Sequence, residues 1–324
     1  MEQLLQGLRA SAEPTRLRII ALCAHAELSV SDLTQILGQS QPRVSRHLRM
    51  LLDAGLLQRH REGTFAYFRL ADPRRSHDLA RLIVDLLPPE DPTVSLDLER
   101  LQAIKETRAA QAMAYFAANA KDWDHIRGLH ADDAAVEAAL VNAVGPGQIG
   151  RLLDLGTGTG RMLELLGDRA DQAIGVDLSK EMLNVARSKL ERSQLSQVQI
   201  RHGNLYQLPF SNGSFDIAVI HQVLHFLEDP ADALQETVRV LTPGGRLFIV
   251  DFEQHHLSEL SHSHAHRWLG FAPDQVGAWL EAAGCDVGPV ERLAGQSLNI
   301  LLWQGQRKVS NVTPLTLSQK VVMS

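Results

Sequence analysis

The sequence predicts a two-domain protein of the α/β class, and three observations carry this prediction. The chain has 324 residues, 44% of them hydrophobic, which is enough apolar material for two cores. Its first 88 residues show short helical patterns followed by an alternating one, whereas from Gly150 onward apolar strands alternate with helices. Between these parts, prolines at 88, 89 and 92 interrupt the chain and mark the best domain boundary.

The first 88 residues predict a helix-turn-helix followed by a two-stranded wing. Helical periodicity extends from Glu13 to His25, from Val30 to a stop at Gly38, and onward from the capping residue Ser40. Two helices joined by a short turn that contains glycine form the helix-turn-helix arrangement. From Leu56 to Leu70 the period changes to two around a glycine-containing turn, which predicts a β-hairpin.

The same segment has the charge of a DNA-binding domain. It holds 12 Arg, no Lys and 9 acidic residues, a net charge of +3, while the remainder holds 20 basic and 29 acidic residues, a net charge of −9. Arginine and amide side chains at the N-terminal half of a recognition helix contact base edges and phosphates in a major groove. The alternative is a small α+β domain whose arginines only form a solvated face. The residues expected to contact operator DNA are Gln41, Arg43, Ser45, Arg46 and Arg49 of the third helix, with Arg59 and Arg61 of the wing.

The C-terminal part is organised around Leu152–Gly167, LLDLGTGTGRMLELLG. An apolar run predicts a buried strand, three glycines predict a turn, and the apolar period after them predicts a helix. Glycines admit a ligand close to the backbone, and Asp177, at the end of the next predicted strand, can accept hydrogen bonds from both ribose hydroxyls. The pattern predicts a nucleoside site, and its D-x-G-x-G-x-G spacing from Asp154 differs from the G-x-G-x-x-G of dinucleotide sites.

The order of strands and helices from Gly150 onward is that of a doubly wound parallel sheet. Its third, fourth and fifth strands are predicted at 198–201, 215–220 and 246–251. Ligands of such sheets bind beyond the carboxyl ends of the strands, where His221 and His225 follow the fourth strand. Either histidine could be a general base for an acceptor that must lose a proton. Each could equally be a polar residue hydrogen-bonded at the rim of the pocket.

The Asp154–Gly160 pattern resembles motif I of the class I methyltransferases that use S-adenosyl-L-methionine (SAM). The resemblance extends to LPFSNGSFDIAVIHQVLHFLED (Leu208–Asp229) and LTPGGRLFIVDF (Leu241–Phe252), within residues 150–305. It implies a Rossmann-like, seven-stranded sheet ending in an antiparallel pair, near 287–293 and 298–304, and a site for SAM or S-adenosylhomocysteine (SAH). The family commonly has an acid for the adenine amino group where this chain has Asn204. The residues expected to bind the ligand are Asp154, Gly156, Gly158, Gly160, Asp177, Leu178, Asn204, Leu205 and His221.

Residues 2–88 resemble the ArsR family of dimeric bacterial repressors in the stretches PTRLRIIALC, ELSVSDL, QPRVSRHLRMLLDAGLL and RHREGTFAYFRL. Metal-sensing members carry two cysteines in the second stretch, where this chain has Ser29 and Ser31. Soft metals require thiolate ligands, so no metal site is expected and the signal must enter elsewhere. The family dimerises through its first and last helices, which implies a homodimer; the alternative is that the apolar residues of these helices complete the core of the monomer. They are Leu4, Leu5, Leu8, Leu79, Leu82, Ile83, Leu86 and Leu87.

Two further segments leave alternatives open. Tyr115, Phe116 and Trp123 precede motif I, where they could form a lid over the SAM pocket or simply pack against the domain. Five histidines lie between His255 and His266, and a solvated loop on the substrate side is favoured there over a metal site, because no acids or cysteines have a ligand spacing.

Together the resemblances predict a DNA-binding transcriptional regulator whose methyltransferase-like domain binds SAM or SAH as signal or cosubstrate. The alternative is an active SAM-dependent methyltransferase of a small molecule with an autoregulatory DNA-binding domain. The expected segments are 1–88 for the winged helix, 89–145 for linker and neck helices, 146–306 for the methyltransferase-like domain and 307–324 for a tail. Two distant cysteines and the lack of an 18-residue apolar run predict a cytoplasmic protein without disulfides or membrane association.

Overall fold

The computed structural model describes residues 1–62, 65–71, 79–88, 90–127, 133–193, 195, 197–257, 260, 265–295 and 297–309, and for residues 60–62 and 65 the backbone alone. The chain forms two compact units. The first contains Met1–Tyr115 and His255–Leu269, and the second contains Phe116–Gln254 and the chain from Gly270 onward. The turn of the predicted wing (63–64), His262 and His264 of the histidine cluster, and the tail from Ser310 lie outside the described residues.

The first unit combines helices with a small antiparallel sheet whose strand order is β1-β3-β2. The predicted helix-turn-helix and two-stranded wing are confirmed, while β1 and its pairing of Leu28 with Phe68 were not predicted. The elements are α1 (Glu2–Ser11), α2 (Pro14–His25), β1 (Leu28–Ser29), α3 (Val30–Leu37), α4 (Gln41–Asp53), β2 (Leu57–Glu62), β3 (Phe65–Leu70), α5 (Leu79–Leu86) and α6 (Pro92–Asn119).

The ends of α3 follow from local chemistry. Its N-cap is Ser29, whose side chain accepts the amide of Asp32 while the Asp32 carboxylate accepts the amide of Ser29, a reciprocal capping box. The helix stops at Gly38, which has a φ of 64° that favours glycine. The following helix α4 buries Val44, Leu48 and Leu51 in the core of this unit, so its opposite face is left to solvent.

Helix α6 is an integral part of the first unit as far as Tyr115. Leu101 lies in the hydrophobic core at 4% exposure. The buried carboxylate of Asp97 accepts two hydrogen bonds, at 2.6 and 2.7 Å, from the guanidinium of Arg18 on α2. Arg100 donates to the carbonyl of Ile36 at 2.8 Å, so α6 holds the end of α3 as well.

The second unit is the predicted doubly wound domain, in which helices alternate with parallel strands. Two 3-10 turns lie at Gly167–Arg169 and Leu224–Phe226. The elements are α7 (Trp123–Arg127), α8 (Asp133–Val144), β4 (Arg151–Leu155), α9 (Arg161–Leu166), β5 (Gln172–Asp177), α10 (Lys180–Ser193), β6 (Val198–His202), β7 (Phe215–His221), α11 (Pro230–Val240), β8 (Leu241–Phe252), α12 (Pro273–Ala282), β9 (Cys285–Val287), β10 (Glu291–Leu293) and β11 (Ile300–Arg307).

The strand order is β10-β11-β8-β7-β4-β5-β6, with β9 also paired to β11, so the described sheet has eight strands rather than seven. Its central strands are parallel and β11 runs antiparallel to β8, as the resemblance implies. The strand expected at 287–293 is split into β9 and β10, which pair with different parts of β11. The break falls at Gly288 and Pro289, because proline has no N–H to donate to the ladder.

The core of the second unit lies on both faces of this sheet. Leu152, Leu155, Ile220 and Ile249 are fully buried on the central strands, as expected for strands covered by helices on both sides. Among the described helices, none is long and apolar enough to cross a membrane.

Candidate functional site

The three glycines after β4 form a tight loop, and each has a positive φ: 67° at Gly156, 52° at Gly158 and 86° at Gly160. At Gly156 a side chain is also excluded by space, since a Cβ there would lie 2.5 Å from Cγ2 of Val223. The amides of Gly156 and Thr157 donate to the carbonyl of Val176 on β5, at 2.8 and 3.0 Å. The loop is therefore fixed to the neighbouring strand, and its glycines let Val223 pack directly against its backbone.

Asp177 ends β5 and faces this loop. One carboxylate oxygen accepts the amide of Gly158 at 2.8 Å and the other accepts the amide of Ser179 at 2.8 Å. Burial raises the pKa of Asp177, and these backbone donors partly offset the effect. An ionised carboxylate has about four acceptor positions, so two remain for the hydroxyls of a ribose. The next residue, Leu178, is 42% exposed and offers an apolar surface beside them.

Asp154 lies beneath the loop at 1% exposure and accepts the hydroxyl of Thr157 at 2.6 Å. Burial raises the pKa of Asp154 to about 7, and the charge of Asp177 adds to the shift. Around neutral pH this carboxyl is therefore only partly ionised. A cationic group bound near it would favour the ionised form.

Two polar side chains at the end of β7 have buried nitrogens with no hydrogen-bond partner among the described residues, Nε2 of His221 and Nε2 of Gln222. Gln222 also has a φ of 55°, a strained value for a residue with a side chain. Burial, and after it the charge of Arg127, lowers the pKa of His221 to about 3, so this imidazole is neutral. Buried polar atoms that lack a partner are costly, and a polar ligand at this place would satisfy them.

An aromatic cluster lies against the same loop. A Cβ placed on Gly158 would lie 3.6 Å from the indole nitrogen of Trp123. The ring of Trp123 packs against Phe116 at 5.4 Å and Phe226 at 6.0 Å between centroids. Its neighbour Asp124 accepts the hydroxyl of Thr159 at 2.7 Å, which ties α7 to the glycine loop. Tyr115, the third aromatic of the predicted lid, belongs to the first unit.

The residues expected at the adenine lie beyond β6, the strand next to β5. Leu205 is buried, whereas Asn204 is exposed and its amide oxygen accepts the backbone amide of Tyr206 at 3.0 Å. That oxygen therefore already has a donor within the chain. Asn204 keeps its amide NH2 group, which can only donate.

The sequence predicted His225 at this sheet edge but not its partner, Asp251. Nδ1 of the His225 ring lies 2.7 Å from a carboxylate oxygen of Asp251 on β8, and both side chains are almost fully buried. A histidine after the fourth strand and an acid at the end of the fifth were the available signal, since those strands are neighbours in a doubly wound sheet.

The nucleoside-site residues fit SAM on these grounds. Asp177 beside the glycine loop has free acceptor positions, and two buried nitrogens need partners. Asp154 can balance positive charge. SAM would supply a methyl group on a cationic sulfur at this site.

The predicted DNA-contacting residues of α4 share one face in the first unit. Val44 and Leu48 turn into the core, and the expected residues between and around them are exposed. On the wing, Arg59 is exposed, while the side chain of Arg61 lies outside the described residues. The exposed residues of α4 are Gln41, Arg43, Ser45, Arg46 and Arg49.

Of the two serines at the positions of the metal-sensing cysteines, Ser29 caps helix α3. Ser29 donates its hydroxyl to Asp32 at 2.8 Å and lies 2.8 Å from the hydroxyl of Ser31. Among the described residues, no cluster of histidine, cysteine and acidic side chains is arranged to hold a metal ion.

Comparison with known proteins finds two family models that match separate segments of the chain. Residues 13–59 match the family model described as bacterial regulatory protein, arsR family, and residues 153–249 match the model of a methyltransferase domain. Similar curated proteins include a demethylmenaquinone methyltransferase of Bacillus cereus, 34% identical over 122 residues, which are 36% of this chain and 50% of that protein. The methyltransferase YcgJ of Bacillus subtilis is 36% identical over 101 residues, 31% of this chain and 40% of that protein.

The chain thus spans half or less of the length of these relatives. Among solved structures, a chain of the Haloferax volcanii complex between the Trm112 methyltransferase activator and a methyltransferase is similar, with a TM-score of 0.51 and 21% identity. The match covers 60% of this chain and 97% of that chain, and it supports the fold alone.

Proposed function

We propose that this chain, which carries an ArsR-family helix-turn-helix and a methyltransferase domain, is a DNA-binding transcriptional regulator that takes SAM or SAH as its signal. One observation carries the proposal: helix α6 contributes residues to both units. As far as Tyr115 it belongs to the first unit, and from Phe116 to the second. A ligand can change DNA affinity only if it binds two conformations with different affinity, and α6 is the element through which that difference would pass.

At the DNA-binding end, α6 holds the cap of α3. One oxygen of Asp32 closes the capping box with Ser29, and the other accepts a hydrogen bond from Arg108 of α6. Asp32 is 5% exposed, so this ion pair is shielded from solvent on the carboxylate side. Because α3 and α4 pack as one motif, a shift of α6 at Arg108 would change how α4 is presented to DNA.

At the ligand end, α6 finishes in the aromatic cluster. Phe116 makes edge contacts with Trp123 at 5.4 Å and with Phe226 at 4.8 Å between ring centroids. Trp123 in turn lies next to Gly158 of the glycine loop. A nucleoside that settles against this loop would displace or fix Trp123 and so act on the last turn of α6.

The regulator is proposed to bind its operator as a homodimer. Helices α1 and α5 lie side by side, since a Cβ on Gly7 would lie 2.5 Å from a methyl group of Leu79. Large apolar side chains on these two helices are left exposed, which is unusual unless a partner covers them. In a dimer with a second copy, the two α4 helices would contact the two half-sites of a palindromic operator. The exposed side chains are Leu4, Leu5, Leu8, Leu82 and Leu86.

The test is a DNA-binding titration on the promoter region of the protein's own gene, at one fixed salt concentration, without ligand, with SAM and with SAH. We expect a change in affinity of about 5-fold or more with at least one of them, the scale of ordinary allosteric coupling. In the Asp177→Ala variant the ligand response should disappear while affinity without ligand is kept. If the DNA affinity of the wild type is the same without ligand, with SAM and with SAH, the sensor proposal is refuted.

A second candidate function is methyl transfer to a small molecule, with the winged helix controlling the protein's own expression. The names of the curated relatives and the buried pair of His225 and Asp251 favour it. Incubation of labelled SAM with cell extract would test it, because labelled product that requires the protein identifies an enzyme. Tight binding of SAM with no turnover in any extract would support the sensor function and not the enzyme.

A further inference from the structure

One buried histidine of the first unit has no hydrogen-bond partner on either ring nitrogen. His47 lies on α4, where it is buried along with Val44 and Leu48, and it is 9% exposed. Both Nδ1 and Nε2 are buried, and among the described residues neither has a partner within hydrogen-bond distance. No hydrogen bond therefore fixes the ring, and the surrounding charges decide whether it carries a proton.

The strongest charges on this ring come from α2 and from α4 itself. The carboxylate of Glu13, which caps α2 by accepting the amide of Arg16 at 2.9 Å, lies 3.6 Å from Nδ1 of His47. Burial lowers the pKa of His47, and the charge of Glu13 partly offsets this effect. Three arginines lower the pKa further: Arg16 of α2, and Arg43 and Arg46 of α4. The ring is therefore mostly neutral around neutral pH, although a carboxylate lies close enough to pair with it.

Three other elements, α1, α3 and β2, also pack on α4. On α3, the carboxylate of Asp32 is engaged by the capping box and by α6. The charged side chains described on α1 and β2 are exposed, namely Glu2, Arg9 and Arg59. In the part of the chain that the structure describes, Glu13 is therefore the carboxylate that pairs with His47.

His47 shares its neighbours with the face of α4 that is expected to contact DNA. Arg43 lies one turn before it and Arg46 directly before it, and both side chains are exposed. DNA phosphates placed against these arginines would neutralise charges that oppose protonation of the ring. The phosphates would also favour the imidazolium directly, since opposite charges attract. Protonation of His47 and binding of DNA should therefore favour each other.

We propose that His47 takes up a proton when α4 binds operator DNA, so that the protein binds its operator more tightly as pH falls. The inference rests on α4 as the DNA-contacting helix of the regulator proposed above. The proton comes from solvent and adds to the ring nitrogen that carries none, and no other bond is made or broken. Both nitrogens of the imidazolium are then donors, and a movement of about 0.7 Å would bring Nδ1 within hydrogen-bond distance of Glu13.

The direction of the pH effect follows from linkage. DNA raises the pKa of His47 relative to the free protein, so binding takes up protons wherever the free protein is still unprotonated. Affinity should therefore rise as pH falls through the pKa of the complex, and it should level off below the lower pKa of the free protein. Because burial lowers that pKa from 6.5, the levelling off lies below pH 6.5. A difference of about one pKa unit between the two states corresponds to a gain of about tenfold.

The experiment measures the affinity of the full-length protein for a labelled duplex from the promoter region of its own gene. Fluorescence anisotropy is recorded at one fixed salt concentration, from about pH 7.5 down to about pH 5.5, the range in which histidine titrates. Over this range the wild type should gain about 3-fold or more relative to His47→Gln, the effect of about half a pKa unit. Glutamine stays neutral at every pH and keeps a polar side chain at this place. Calorimetry in two buffers of different ionisation enthalpy should show less proton uptake on DNA binding in the variant.

Two further variants separate this role from a structural one. His25→Asn is the matched control, because His25 lies at the opposite end of α2 and burial lowers its pKa too, while Lys105 and Arg81 act on it instead of a carboxylate. Its pH response should be that of the wild type. Glu13→Gln keeps an oxygen for the amide of Arg16 but removes the charge, so the gain in affinity should move to lower pH.

The outcomes distinguish this inference from the regulator on which it rests. A wild-type pH response in His47→Gln, at an unchanged melting temperature, overturns the role of His47. If that variant is less stable than the wild type, an unshifted pH response in Glu13→Gln overturns it instead. In both cases operator binding persists, so the regulator stands. A wild-type protein that binds no DNA at any pH overturns both proposals.

Discussion

Replacement of Asp177 by alanine should weaken SAH binding more than any other single change at the site. The carboxylate already holds two backbone amides, those of Gly158 and Ser179, both at 2.8 Å. Its two remaining acceptor positions are those assigned to the ribose hydroxyls. Alanine therefore removes both ligand contacts and also releases the amide of Gly158, which the carboxylate holds in the glycine loop.

The expected loss of SAH binding free energy follows from the number of hydrogen bonds that Asp177→Ala removes. A hydrogen bond to a charged group contributes about 1.5 kcal/mol or more, so two of them correspond to about 3 kcal/mol. That is a rise in Kd of about 150-fold. Asp177→Asn keeps one acceptor oxygen and should lose about half as much free energy, a rise of about 10-fold.

Isothermal titration calorimetry with SAH measures both variants directly. Asp171→Ala is the matched control, because it removes an exposed carboxylate just before the same strand β5. Its Kd should equal that of the wild type. If Asp177→Ala binds SAH within twofold of the wild type while its melting temperature is unchanged, the nucleoside site has been assigned to the wrong place.

The other predictions concern DNA, pH and stability. The double variant Arg43→Ala with Arg46→Ala should weaken operator binding and reduce the slope of log affinity against log salt by about 2, measured by fluorescence anisotropy. Burial raises the pKa of Asp154 from 3.8 to about 7, so the melting temperature of the ligand-free protein should fall as pH rises across that range. SAM should raise the melting temperature more at about pH 8 than at about pH 6, because it favours the ionised carboxylate. Asp97→Ala should lower the free energy of unfolding of the first unit by about 3 kcal/mol, since it leaves Arg18 without its carboxylate.

Each of these has a control and a contradicting result. Arg192→Ala removes an exposed arginine of α10 and should leave the salt slope alone; a slope unchanged in the double variant would exclude α4 as the recognition helix. Asparagine cannot ionise, so Asp154→Asn should flatten the dependence of melting temperature on pH. A pH dependence that persists in this variant would have to come from another group. For Asp97, urea unfolding with the second change Arg18→Leu should recover part of the loss, and no recovery would exclude the ion pair as its cause.

The sequence was sufficient for features whose physical cause is local. The stop of α3 at Gly38 and the turn at Gly156 both follow from positive φ angles, 64° and 67°, which glycine adopts without strain. The alternation of buried strands and helices predicted a doubly wound parallel sheet, because such strands are apolar on both faces. The position of Asp177 at a strand end followed from the same pattern.

Contacts between residues distant in the sequence were not predicted. Asp251 lies 26 residues after His225, and the partner of Asp97 is 79 residues away. No periodicity links such pairs, since their contact depends on how helices and strands pack. The split of the last antiparallel pair at Pro289 had a local cause in the sequence, but the prediction of one continuous strand over 287–293 overlooked it.

The contact between Asp32 and Arg108 explains how a helix-turn-helix without metal-binding cysteines could still be regulated. In this chain the ELSVSDL stretch places Ser29 and Asp32 in a capping box, and the second oxygen of Asp32 faces outward to Arg108. The two residues are 76 positions apart, so the start of α3 is held by a helix that also reaches the second unit. The stretch in which the ArsR resemblance implies cysteines in metal-sensing members is here held by an ion pair to α6. In the proposed sensor, a ligand that moves α6 would take the place of a metal as the signal.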